Sequence, residues 1–137
     1  MSYDLMVFDA ATAPREQDAF MEWYDAQAQW SEGHSYDNSE VTTAELRAWY
    51  DEMRQTFPAM NGPDATWSRD LPNDSPLWDD PHVTDYCIGT QVIYCAFTWS
   101  IAEQARDAVV KLAERHKVGF FDASGDGRIV FPGEPYE

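Results

Sequence analysis

The sequence predicts an α+β fold, a mostly antiparallel sheet of about five strands with three helices in the order β-α-α-β-β-α-β-β. Three observations carry it. Short runs rich in β-formers open the chain, recur past its middle and close it. Three longer stretches between them place apolar residues at helical spacing. The later strands come as adjacent pairs joined by turns, which suits hairpins rather than parallel crossovers. Helices packed on one face of such a sheet satisfy the pattern. A chain of 137 residues fits one domain spanning 1–137.

Residues Tyr3–Phe8 read as the first strand, closed by Asp9 and small residues. Pro14 fits the first turn of a helix, with Glu16 and Asp18 near its positive end. Phe20, Trp23, Tyr24 and Gln27 follow at i, i+3, i+4 and i+7, with Trp30 one turn further. That helix should end near Ser31–Gly33. A polar loop, His34–Val41, leads to a second helix. Thr42 and Glu45 have the spacing of a capping box, and Leu46, Trp49, Tyr50, Met53 and Phe57 form the cleanest apolar stripe in the chain. Pro58 stops it.

Residues 58–82 have no periodicity. They hold five prolines, the acids Asp64, Asp70, Asp74, Asp79 and Asp80, and the tryptophans Trp67 and Trp78. Loops this long inside a compact domain tend to be functional or disordered. Beyond them, Val83–Ile88 and Gln91–Trp99 read as a hairpin about a Gly89-Thr90 turn. Ser100 and Glu103 make another capping-box spacing before the stripe Ile101, Ala105, Val109, Leu112 and Ala113. Arg115, His116 and Lys117 sit near the negative end of this third helix. Val118–Asp122 and Arg128–Phe131 read as short strands around a Gly-rich turn at Ser124–Gly127.

Twenty-five acids against nine bases give a formal charge of −16. The excess is uneven: residues 1–82 carry 17 acids and 4 bases, residues 83–137 carry 8 and 5. Such a field repels nucleic-acid phosphates and anionic lipid, and it speeds encounter with a basic partner. Solubility alone is the plainer explanation of the same charge. Twenty aromatic rings are more than one core of this size is expected to hide, and surface Trp and Tyr are common interface anchors. No apolar run approaches the roughly 18 residues of a membrane span, and Met1–Ala10 lacks the basic region of a signal peptide. The expected compartment is the cytoplasm, with neither nucleic acid nor membrane as partner.

In the hairpin register set by a Gly89-Thr90 turn, Cys87 faces Val92 and Cys95 faces Thr84, so the two sulfurs point to opposite faces and stay reduced. Asp122, Ser124, Asp126, Gly127 and Ile129 match five positions of an EF-hand loop, but Gly133 stands where the bidentate Glu belongs. A hairpin turn accounts for the same residues, and a weak cation site is the alternative. His34 lies near Glu32, Ser35 and Asp37, although sequence neighbours rarely form a catalytic triad. His82 and His116 are scattered, no zinc spacing occurs, and no phosphate-binding Gly-rich loop is present. Asp51-Glu52 and Asp79-Asp80 read as solvated charge, because adjacent residues on a helix diverge. No cofactor, metal ligand set or catalytic residue is therefore assigned. The candidate partner-binding residues are Asp64, Trp67, Asp70, Asp74, Trp78, Asp79 and Asp80. Their acids supply charge, their tryptophans supply apolar area, and the prolines limit the entropy lost on binding. An ordinary surface loop whose tryptophans fold back on the sheet is the competing reading.

The opening Met1–Phe8, the Trp99-Ser100 pair and the closing Gly119–Asp122 with its Gly-rich turn resemble small uncharacterised bacterial proteins. Proteins of this size and acidity resemble the immunity proteins encoded beside interbacterial toxins, type VI secretion effectors among them. The resemblance implies a cytoplasmic inhibitor that covers the basic active-site cleft of a cognate protein toxin, one acting on nucleotides being a candidate class. Alternatives are a DNA-mimic regulator and a small-ligand-binding protein or enzyme with an aromatic-lined pocket.

Overall fold

The computed structural model describes residues 2–30, 32–34, 36–60, 81–125 and 127–134. Strand β1 (Tyr3–Phe8) is followed by helices α1 (Gln17–Gln27) and α2 (Ala44–Met53), with a 3-10 turn at Ser39–Val41 between them. Strands β2 (Asp85–Ile88) and β3 (Val92–Phe97) lead through a second 3-10 turn, Trp99–Ile101, into α3 (Ala102–His116). Strands β4 (Gly119–Phe121) and β5 (Ile129–Val130) complete the predicted order. The sheet order is β2-β3-β1-β4-β5, and every neighbouring pair is antiparallel.

The helices do not share one face, as the sequence reading expected. Helices α2 and α3 cover one side, where Leu46, Trp49, Tyr50 and Met53 of α2 and Ala105, Val109 and Leu112 of α3 meet Leu5, Val7, Tyr86, Ile93, Cys95 and Phe120. Helix α1 lies on the other side, where Phe20 packs with Met6, Phe8 and Phe121, and Trp23 and Tyr24 close over them. The cause is visible in β1. Successive strand residues point to opposite faces, and β1 is apolar on both, with Leu5 and Val7 on one and Met6 and Phe8 on the other. Covering a single face would leave the second wet.

The aromatic excess is also absorbed by this arrangement. Two cores hide what one would not, and among the described residues Trp99 is the one aromatic side chain left mainly exposed, at 49%. The expectation of several surface rings is thus corrected for the described part of the chain.

Element ends differ from the sequence reading for local reasons. Helix α1 starts at Gln17, because the Glu16 carboxylate accepts from the N–H groups of Asp18 and Ala19; Pro14 lies upstream of it. It ends at Gln27, and Trp30 follows with φ 52 in the left-handed region. Thr43, not Thr42, caps α2 by accepting from the Leu46 N–H; Thr42 instead donates to the carbonyl of Thr90. Neither Ser100 nor any other side chain caps α3, since the 3-10 turn precedes it.

In the β2–β3 hairpin Ile88 pairs with Ile93, Cys87 with Tyr94 and Tyr86 with Cys95. The Gly89 N–H donates to the Val92 carbonyl, so the turn is Thr90-Gln91, one residue later than Gly89-Thr90. Glu32 draws it there, its carboxylate accepting from both the N–H and the hydroxyl of Thr90. The register shifts by an even number, so each side chain keeps its expected face. Cys87 and Cys95 are both free thiols on opposite faces. The β4–β5 connection is a turn in which the Asp122 carboxylate accepts from the Gly125 N–H, and the backbone closes from Asp122 N–H to Arg128 carbonyl. Asp126 lies outside the described residues.

Candidate functional site

The seven residues singled out in the sequence, Asp64, Trp67, Asp70, Asp74, Trp78, Asp79 and Asp80, all lie outside the described residues, and so does Ser35. What the structure places is the base of that segment. The Met60 N–H donates to the Thr84 carbonyl at 2.9 Å, and the Thr84 N–H donates to the Pro58 carbonyl at 2.8 Å. This parallel bridge, with Ala59 buried against Thr84, clamps the two ends of the acidic stretch together at the outer edge of β2. The Ile88 N–H, further along the same edge, donates to the Tyr36 carbonyl at 2.7 Å.

Around this clamp the surface changes character. A shallow depression of about 490 Å³ is lined by Ser2, Met60, Val83, Asp85, Phe97 and Thr98. Trp99 stands next to it in sequence and leans on Tyr3 with ring centroids 5.0 Å apart. Asp85 is exposed. The strand registers put Asp4, Ala96 and Asp85 in one row across β1, β3 and β2, on the face that α1 covers only in part. Trp99 follows Thr98 at the same end of the sheet, but through Tyr3 it sits toward the α2–α3 face, across the sheet from the row of Asp4 and Asp85. Sequence reasoning passed over Trp99 because it reads as the last residue of a strand. The sequence signal that marks it is the Thr98-Trp99-Ser100 break, where two polar residues flank a ring at a strand end.

Behind that row the polar groups are tightly tied. The Tyr94 hydroxyl donates to Asp4 Oδ2 at 2.7 Å, and the other Asp4 carboxylate oxygen accepts from the Ser2 hydroxyl. The Asp4 N–H donates to Ser124 Oγ at 2.7 Å, joining β1 to the β4–β5 turn. Burial pushes the Tyr94 phenol far above its ordinary range, helped by its hydrogen bonds to Asp4 and Tyr24 and by nearby negative charge. Tyr24 is raised too, chiefly by burial. Cys87 is half-buried on the same face, and burial with the carboxylates of Asp85 and Glu32 pushes its thiol up to about 11. A thiol so held is protonated at neutral pH and a poor nucleophile.

The histidines and the Asp51-Glu52 pair are engaged in structural contacts. His34 Nε2 pairs with the Glu32 carboxylate while its Nδ1 accepts from the Tyr36 N–H, which ties down the loop after α1. Glu52 on α2 takes both His116, at 2.8 Å, and Arg115 at the end of α3, whereas its neighbour Asp51 turns away to Arg54. His82 meets Gln104 at 3.3 Å and stacks near Phe57. Among the described residues no helix is long and apolar enough to cross a membrane. Compared with protein-family models, with curated proteins and with solved structures, the chain has no match.

Proposed function

We propose that this protein is an immunity protein, one that binds a cognate bacterial toxin with a basic surface and neutralises it by covering its active-site cleft. The observation that carries the reading is the placement of the clamp. Both ends of the acidic, tryptophan-bearing segment are held at one sheet edge, next to the exposed Asp85, and the exposed Trp99 lies at the same end of the sheet. Exposed carboxylates and an exposed ring at one end of the sheet suit a surface of arginine and lysine, through charge-assisted hydrogen bonds and cation–π contact. The charge of −16 adds long-range attraction for such a surface. The protonated state of Cys87 favours binding over thiol chemistry at this face.

The test is capture of partners from the source bacterium with C-terminally tagged protein, washed at moderate and at high salt, and mass spectrometry of what remains. One stoichiometric partner with a basic domain, whose toxicity falls when this protein is co-expressed, supports the proposal. Capture of nothing while a candidate toxin is expressed in the same cells, or capture without loss of toxicity, sinks it.

A further inference from the structure

At the opposite edge of the sheet from the clamp, a cavity of about 290 Å³ opens between α3 and β5. Helix α3 packs over β1 and β4, and β5 beyond them is only two residues long, so the last turns of the helix stand over a gap at the sheet edge. The walls are apolar. Val110 and Ala113 come from one face of α3, Val118 follows the left-handed C-cap at Lys117, and Val130, Phe131 and Pro132 close the other side. Two carboxylates line the same cavity. Glu114 lies four residues after Val110 and so shares its helix face. It is exposed, and among the described residues its carboxylate makes no hydrogen bond or ion pair. Glu134 is held by a turn. Its N–H donates to the Phe131 carbonyl at 3.0 Å, and its Oε1 accepts from the Phe131 N–H at 2.8 Å. Gly133, at φ 91, supplies the left-handed residue that such a turn needs after Pro132. The turn fixes the Glu134 carboxylate at the cavity, and among the described residues its second oxygen is unspent. No basic side chain among the described residues lines this cavity; Arg15 and Arg128 line a neighbouring depression.

From this geometry we infer that the cavity between α3 and β5 is a binding site for a small primary amine that carries one apolar ring, an arylalkylamine. The ring would lie on Val110, Ala113, Val118 and Val130, and the ammonium group would meet the carboxylates of Glu114 and Glu134. Size limits the ligand. Pockets for small molecules begin at roughly 300 Å³, so about 290 Å³ takes a single ring on a short chain and not a larger ligand. Charge selects within that size. An ammonium donates to both carboxylates and is drawn in by a chain of formal charge −16, whereas a carboxylate on the same ring is repelled by all of it. Because the rim carboxylates keep contact with water, the ion pairs add selectivity and the apolar walls supply most of the affinity. The site lies at the far sheet edge from the clamp and does not depend on the toxin-binding reading.

The test is a titration of methyl-labelled protein at neutral pH and constant ionic strength with three ligands that share a ring: 2-phenylethylamine, 2-phenylethanol and 3-phenylpropionate. The readout is the methyl signals of Val110, Ala113, Val118 and Val130. The expected result for the amine is saturable shifts confined to these methyls, with a dissociation constant of about 1 mM or tighter. The alcohol should bind about tenfold more weakly, and the carboxylate should leave the signals in place. Glu114→Gln should weaken the amine about threefold and leave the alcohol unchanged. Adding Glu134→Gln, whose amide oxygen still accepts from the Phe131 N–H, should bring amine and alcohol to the same affinity. Both side chains are exposed, so these variants are expected to keep the native spectrum. Shifts linear in the amine, equal affinity for all three ligands, or a preference for the amine that survives in the double variant would overturn the site.

Discussion

Gly119 faces Phe8 across the β1–β4 ladder, and the Phe8 ring occupies the space where a side chain on Gly119 would stand. A methyl group there would come well under 3.0 Å from the ring, and Phe8 is itself boxed in by Phe20, Trp23 and Phe131. Gly119→Ala should therefore cost about 1–3 kcal/mol through overpacking. Chemical denaturation is the measurement, and an unchanged midpoint would mean that the α1-side core is looser than described.

Tyr94→Phe removes the hydroxyl that satisfies Asp4 and contacts Tyr24. Stability should drop by about 1–2 kcal/mol, since the partner left behind is a charged group. The effect should shrink in an Asp4→Asn background, because the two residues share one hydrogen bond. Equal losses in both backgrounds would assign the cost to packing.

The protein should lose stability in alkali. Cys87, at about 11 against an ordinary 9.0, holds its proton to higher pH when folded than when unfolded, and Tyr24, Tyr86 and Tyr94 are raised from 10.0 in the same direction. Their contribution is complete below pH 9.0 and is lost as pH climbs through the folded values. Thermal unfolding followed by circular dichroism should show a melting temperature that falls above pH 9.0, and Tyr94→Phe should flatten the fall. A slope unaffected by that substitution would point to other groups.

If the surface at Trp99 receives a basic partner, Trp99→Ala should weaken the complex by about 2 kcal/mol, close to thirtyfold, with little change in fold stability. Asp85→Asn should act differently, slowing association and reducing its salt dependence while leaving dissociation nearly unchanged. Surface plasmon resonance across a salt series separates the two. Normal affinity in both variants would move the interface away from this corner.

The sequence was a good guide where a single local rule decides. Strand β1 is found at Tyr3–Phe8, and the α2 stripe Leu46, Trp49, Tyr50 and Met53 is buried as its spacing requires. It misled where a distant residue decides. Glu32, more than fifty positions away from Thr90, sets the hairpin turn, and no local propensity contains that contact. The Thr42 cap failed because the adjacent Thr43 hydroxyl takes the end of α2, and the Ser100 cap failed because a 3-10 turn precedes α3. The two-faced sheet was legible in principle. Met6 and Phe8 alternate with Leu5 and Val7, and such a doubly apolar strand demands cover on both sides. Of the candidate site, the charge and the acidic segment could be read in the chain. The neighbourhood of Trp99 could not, because it is assembled from strand ends that only the register brings together.

The bonds from Pro58, Met60 and Tyr36 to the rim of β2 have one more effect. An open rim of backbone groups is a template on which a second molecule can add strands and start a fibril. Here one rim is bonded by the chain itself at Thr84 and Ile88, and the other ends in β5, which is two residues long. A sheet closed off in this way resists edge-to-edge polymerisation, so concentrated solutions should stay clear and thioflavin-negative. Cutting the clamp with Thr84→Pro, which deletes the N–H donated to Pro58, would reopen that rim to recruitment of further copies.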